Sequence, residues 1–428
     1  MKKKVFLALL VLMVGTLPVT ATWYVWQNPA GGAWDDSANW NPATGYPNSA
    51  GDVAVFTNLY LTSNQVLQVT LPANAVTVGM VRVIGASNMY ELIGGRLVLT
   101  NAASANATIY TATAFSLNRP AYLSVLSEVE FLQDTLIALS HYNLNDGLYL
   151  QGRLYGNGTI TRGVSTSTGG NCTITNPANE FTGLVRAHSG YLTYVYNNAL
   201  SNCAGVKVSY NGSFGCYGYD TIRTITFNTI GQLTFPSGSG GNSYGDWILN
   251  STNVTFTIYS GRTLYGSLSG TGDVTIAGNT YLNLYGAVKP GGDTVGSLSL
   301  IKTGGNLQIG KAASRAQLHI DVAGSGGVPG VDHDYLLVRD TVAALNLSNI
   351  VLHAHGTGWQ ETNWFLEVLG TNGLGYIGTF FDVTNDTGKV SEVIYDTANR
   401  RVGLLVIPEP ALLSGLALAM ALGHRRRQ

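Results

Sequence analysis

The feature that most constrains this chain is the absence, between residues 22 and 405, of any long segment with helical period. In its place stand short alternating or β-branched runs, each bounded by Gly or Asn. The runs at 67–71 (LQVTL), 76–84 (VTVGMVRVI), 96–100 (RLVLT), 206–210 (VKVSY), 253–259 (NVTFTIY), 281–285 (YLNLY) and 317–322 (QLHIDV) all read as strands. Only at 127–140 (SEVEFLQDTLIALS) do helix and strand readings compete. Dense short strands with this punctuation mean a sandwich, a barrel or a β-solenoid. The chain has 428 residues, 11% of them charged, and no repeated Trp-Asp blade signature, which fits the solenoid best.

Weak internal echoes support that choice. LYGNGTITR at 154–162 returns as LYGSLSGTGDVTIA at 264–277, and TGGNCTITN at 168–176 as TGGNLQIGK at 303–311. Gly and Asn suit such corners because both tolerate the left-handed backbone conformation. The low charge excludes a coiled coil and a protein that holds nucleic acid through a diffuse basic field. With 45% hydrophobic residues the chain is not a disordered polyelectrolyte either.

The two ends read as targeting segments. Residues 1–21 form a secretory signal peptide: Lys2, Lys3 and Lys4 precede an apolar run at 5–15, and small residues lead to cleavage after Ala21. Residues 406–428 read VIPEPALLSGLALAMALGHRRRQ. Pro408, Glu409 and Pro410 stop any preceding strand because the prolines lack an amide donor. The apolar stretch at 411–423 would make roughly 20 Å of helix, short of the ~30 Å hydrocarbon core. Arg425, Arg426 and Arg427 close it on the cytoplasmic side. This order resembles the PEP-CTERM sorting signal of Gram-negative bacteria, which a membrane protease, exosortase, recognises and cuts. The resemblance implies export, transient inner-membrane insertion through a short C-terminal helix, and a mature product at the cell surface or outside the cell.

The body carries a second resemblance. The stretch at 156–200, with Asn179, Phe181 and Gly183 at a turn, is similar to the autotransporter-associated β-strand repeat, and GAVKPGGDTVGSLSL at 286–300 resembles a late coil of such passengers. The segments HIDVAG, DYLLVRD, WFLEVLG and VGLLV match their terminal coils. Residues 22–56 look like their opening cap, with Trp23, Trp26, Trp34 and Trp40 covering the first coil. The expectation is an all-β, right-handed parallel β-helix over 22–405, between a signal helix and a sorting helix. Its parts would be the cap at 22–56, coils at 57–300 and terminal coils at 301–405. Setting aside the six terminal Lys and Arg residues and Glu409 leaves 17 basic and 23 acidic residues of the original 23 and 24, a net charge of −6.

No catalytic pattern accompanies this body. Cys172, Cys203 and Cys216 are too few and wrongly spaced for zinc. Export permits a disulfide, and Cys203 with Cys216 closes the shortest loop. Asp332-His333-Asp334 is the sharpest ionisable cluster; on an extended strand Asp332 and Asp334 would share one side and His333 the other, while the resemblance to terminal coils implies that Asp334 simply precedes the DYLLV strand at a turn. His353 and His355 alternate onto one face and could hold a metal, but no third ligand is nearby in sequence. Tyr191, Tyr194, Tyr196, Tyr210, Tyr217 and Tyr219 could present rings to a sugar. The reading is a non-catalytic surface or extracellular-matrix protein, without cofactor or metal, engaged in adhesion or exopolysaccharide association. The alternative is a secreted β-helical polysaccharide lyase or hydrolase, or a carbohydrate-binding module.

Overall fold

The computed structural model describes residues 21–406 apart from 58–65, 85–88, 102–104, 113–121, 141–146, 164–170, 189, 197–198, 210–211, 218–221, 223, 228–230, 236–240, 251–252, 259–260, 279, 305, 324–327, 341–343, 357–365, 374 and 386–389. Two compact units divide the chain, Met1–Thr193 and Tyr194–Gln428. Both are all-β with large parallel sheets. Among the described residues the helical content is two single 3-10 turns, Ser37–Asn39 and Leu347–Asn349, and no helix is long and apolar enough to cross a membrane. Residues 1–20 and 407–428, with Pro408, Glu409, Pro410, Arg425, Arg426 and Arg427, lie outside the described residues; Ala21 is described and exposed.

In the first unit the chain visits three faces in turn. Val53–Thr57, Val66–Thr70 and Val76–Val78 are followed by Met80–Ile84, Met89–Ile93 and Arg96–Leu99, and each strand pairs in parallel with the one three places later. Ile109 stands opposite both Val81 and Ile137, so one circuit here takes 28 residues. This strand order is consistent with a β-solenoid. Alternation drives it: in Ala107–Ala112 every second residue is buried, and register stacks those residues into columns. On the second face Leu67, Tyr90, Leu123, Leu148 and Cys172 form one such column, and Val69, Leu92, Val125, Leu150 and Ile174 the next. Each aliphatic rung taken out of water is worth about 1.5–3 kcal/mol. The ambiguous segment at 127–140 resolves as two strands, Glu128–Phe131 and Thr135–Ser140, on different faces.

Aromatic packing closes the start of this unit. Trp26, Trp34 and Trp40 are buried around Phe56, with ring centroids 4.9–6.0 Å apart. Their indole N–H groups donate to the carbonyls of Asn28, Pro47 and Trp34. Trp40–Asn41 runs antiparallel to Trp23–Trp26 and covers that strand's outer edge. Trp23 departs from the expected role: it points outward, half-exposed, with the Arg82 guanidinium 5.5 Å from its ring.

The second unit repeats the three-face order with tighter coils. Trp247 stands opposite Leu268 and Leu268 opposite Val288, circuits of 21 and 20 residues. Later coils widen, Leu318 pairing with Leu352. An antiparallel pair, Arg401–Val406 with Val390–Asp396, lies beyond Leu366–Gly373 on the second face.

Cys203 is a free buried thiol, while the side chain of Cys216, its possible bridge partner, lies outside the described residues. It sits in the turn before the first-face strand Gly205–Val208, whereas Cys216 belongs to the second-face strand Gly212–Tyr217. Short sequence distance spans a change of face. Cys172 is also free and is a rung of the buried column.

Candidate functional site

The third face of the second unit carries a ladder of tyrosines. Its strands Gly241–Ser243, Arg262–Leu264 and Tyr281–Leu284 align Ser243 with Leu264 and Leu264 with Leu284. The next residue in each case is Tyr followed by Gly: Tyr244-Gly245, Tyr265-Gly266 and Tyr285-Gly286. Parallel pairing therefore stacks the three phenols one coil apart, close to the 4.7–4.9 Å strand spacing. Tyr244 and Tyr265 lie 5.2 Å apart and 9° from parallel, and Tyr265 meets Tyr285 edge-on at 5.8 Å. The glycines permit this closeness, since a Cβ at Gly266 would lie 2.0 Å from the Gly245 carbonyl oxygen, and one at Gly286 2.0 Å from that of Gly266.

The ladder is wet on one side and supported on the other. Its rungs Tyr244 and Tyr265 are 51% and 39% exposed, and Tyr281, at the start of the third strand, is 47% exposed. Tyr285 is more enclosed; burial first, then the neighbouring Tyr265 and Tyr281, raises its phenol above the ordinary value. Lys311 Nζ sits 4.6 Å from the Tyr285 ring. Beside the rings, register aligns Asn242, Thr263, Asn283 and Gln308 as a polar row. Asn242 Nδ2 donates to Tyr244 Oη at 3.2 Å and Asn283 Nδ2 to Thr263 Oγ1 at 3.1 Å. Exposed ring faces flanked by amides and hydroxyls match both the apolar faces and the hydroxyl edges of a sugar chain.

On the corresponding face of the first unit the outward groups are charged. Arg96 pairs with Glu128 at 2.9 Å and Glu130 at 3.3 Å, its guanidinium 4.4 Å from the Tyr155 ring. Tyr155 Oη donates to Glu128 Oε1 at 2.9 Å, and Arg153 pairs with Glu180. An open groove of about 640 Å³ runs beside them, lined by Asn74, Gly95, Arg96, Ser127 and Glu128 among others. The Arg96 hydrogen bond holds Glu128 below the ordinary carboxylate range, and the same contact raises Arg96. Burial and then Glu128 raise Tyr155. Sequence reasoning found neither face. The Tyr-Gly dipeptide recurring at 20- to 21-residue intervals was the available signal for the ladder.

No family model matches the chain, and no curated protein or solved structure does either.

The residues singled out by sequence fall into other settings. Residues 330–332 form a turn and His333 bridges to Val322 and Pro329, so His333 and Asp334 are both buried and Asp332 caps the Val328 amide. Asp334 accepts from the amides of Gly296 at 2.9 Å and Asp321 at 3.0 Å, tying two strands together. Burial pushes its carboxyl up to about 7. His333 Nε2 donates to the Glu367 carbonyl at 2.8 Å. His353 and His355 do share a face, and the register adds His319 from the neighbouring strand, 34 residues before His353. Burial first, then the nearby His353, Lys289 and His355, pushes His319 down to about 4. Among the described residues no group of three or more His, Cys, Asp and Glu side chains is arranged to hold a metal ion. Burial raises the Cys172 thiol to about 12 and the Cys203 thiol to about 11, which removes both from thiolate chemistry. Tyr210 and Tyr219 and the side chains of Tyr191, Tyr194, Tyr196, Tyr217 and Cys216 lie outside the described residues.

Proposed function

We propose that the chain is an exported, non-catalytic cell-surface or extracellular-matrix scaffold that contacts exopolysaccharide or neighbouring cells through its outward third face. The tyrosine ladder carries this reading. Three coil-spaced phenols with a flanking amide and hydroxyl row offer repeated weak contacts to a repeating polymer, and such contacts gain strength by multivalency. In this account the coils wind right-handed, the hand nearly all parallel crossovers take. Residues 1–21 direct secretion. Residues 406–428 insert transiently as a short helix and are cut by an exosortase-type protease near Pro408–Glu409–Pro410. The N-terminal basic start and the Arg425–Arg426–Arg427 close support that orientation.

The groove beside Arg96 favours a second reading, a secreted β-helical lyase or hydrolase. Its chemistry supports the scaffold instead. A general acid needs a carboxyl raised toward neutrality and a phenolic base needs a lowered one, whereas Glu128 is lowered and Tyr155 raised. Incubating the full-length chain with a panel of envelope polysaccharides separates the two readings. Retention on immobilised polysaccharide with no new reducing ends or unsaturated products is expected. Product formation that Glu128→Gln abolishes would establish the enzyme. Mass spectrometry of the secreted form tests sorting: a terminus near Pro408 is expected, and an intact Gln428 in the inner membrane would refute it.

A further inference from the structure

The first face of the first unit holds a half-buried arginine without a counter-charge. Met80–Ile84 buries Val81 and Val83 and turns Arg82 outward. Register sets Val55 on one side of it and Tyr110 on the other. One strand beyond Val55, Trp23 stands opposite Val53. The Arg82 guanidinium carbon lies 5.3 Å from the Tyr110 ring centroid and 5.5 Å from that of Trp23, so two rings flank one cation. On the strand between Trp23 and Arg82, Val53 and Val55 face outward by alternation yet are only 5% and 4% exposed. The Arg82 Nε is itself buried and has no hydrogen-bond partner. Arg96, Arg153 and Arg401 each pair with a carboxylate, whereas Arg82 pairs with none among the described residues. Aromatic faces attract the positive charge but accept no in-plane hydrogen bond, which leaves the Nη1–Nη2 edge for a ligand.

We propose that Arg82, Trp23 and Tyr110 form a binding site for a carboxylate-bearing sugar, a uronate unit of an acidic polysaccharide. The carboxylate takes both N–H donors of the Nη1–Nη2 edge, one planar fork against another. The flanking rings hold the guanidinium before the ligand arrives and exclude water around it, and both effects strengthen the pair. Trp23, half-exposed, offers apolar surface to the C–H face of the sugar ring. A neutral sugar leaves the cation uncompensated, so the site discriminates by charge. The body of the chain is net acidic and supplies no diffuse attraction for such a polymer. Recognition therefore depends on this one local fork. The assignment rests on the polysaccharide-contact reading above and adds to it the class of polymer.

The test is calorimetric titration of the full-length chain with an oligogalacturonate, and with the same oligomer after its carboxyl groups are reduced to alcohols, while tryptophan emission is followed. Binding of the uronate form is expected, weakening as salt rises. Arg82→Gln should weaken it by at least about tenfold. Arg82→Lys should weaken it too, because an ammonium does not fill a planar fork. Trp23→Phe should abolish the emission change and keep most of the affinity. Arg186→Gln, which removes the same charge from an exposed position of the same sheet, should change nothing. No uronate binding, equal affinity for the reduced oligomer, or unchanged affinity in Arg82→Gln would overturn the site. The variant with Tyr244→Ala, Tyr265→Ala and Tyr285→Ala should keep the Arg82-dependent binding. If binding is lost with the tyrosines and kept in Arg82→Gln, this site fails and the polysaccharide-contact reading stands.

Discussion

Gly266→Ala tests how closely the coils beneath the tyrosine ladder are packed. A Cβ at this position would stand 2.0 Å from the Gly245 carbonyl oxygen, 2.5 Å from its carbon and 3.0 Å from the Tyr244 carbonyl oxygen. The obstructing atoms are backbone, so no rotamer change relieves the clash. Relief needs the two coils to part by roughly 1 Å, against dispersion contacts that weaken over that distance. Those coils are pinned by the Trp247–Leu268 pairing and by the buried side chains of Leu264 and Leu268. Overpacking that side chains can absorb costs ~1–3 kcal/mol, and here the upper end, about 3 kcal/mol, is expected. Gly292 is the control. Its φ of +70° is left-handed, but a Cβ there would have 3.6 Å of clearance, so Gly292→Ala should cost only the conformational penalty of ~1 kcal/mol. Urea unfolding of the full-length chain, followed by circular dichroism and compared at constant m, measures both. If Gly266→Ala proves as stable as the parent, or less harmful than Gly292→Ala, the close-packed corner is wrong.

Other perturbations have defined outcomes. Phe56→Ala, which empties the space between Trp26, Trp34, Trp40 and Tyr90, should lose about 4 kcal/mol in the same denaturation assay. Arg96→Ala removes ion pairs whose side chains are 25% to 36% exposed; thermal unfolding should register less than ~1 kcal/mol, shrinking further in salt. Asp334 is raised to about 7 by burial, so the unfolded chain gives up this proton first. Its contribution is complete below pH ~4 and is lost as pH rises through about 7, by at most about 4 kcal/mol. Asp334→Asn, which does not titrate, should flatten that part of a stability–pH profile; an unchanged slope would refute the assignment.

Much of the fold was legible because period-two alternation survives in a parallel coil with one wet face. Each of the seven short runs contains strand, and 76–84 breaks at Gly79 into two strands on different faces. The LYG echo falls on equivalent third-face corners, at Leu154–Gly156 and at the end of Arg262–Leu264. The TGGN echo does not: Asn171–Ile174 is a second-face strand and Asn306–Ile309 a third-face one. What stayed hidden depends on register between coils of unequal length. Val288 opposes Leu318 across one circuit, but Leu318 opposes Leu352 across a longer one, and no local pattern predicts that His319 will meet His353. At Asp332–Asp334 the reading of a turn before the DYLLV strand holds and the extended-strand one does not, because the chain turns at 330–332 and buries the consecutive residues His333 and Asp334, which alternation forbids.

Polysaccharide contact through the ladder is tested most directly by affinity electrophoresis in gels containing envelope polysaccharide. The parent chain should be retarded in proportion to polysaccharide concentration. A variant with Tyr244→Ala, Tyr265→Ala and Tyr285→Ala, its fold verified by circular dichroism, should run as it does in an empty gel. Equal retardation of the two proteins would contradict the account.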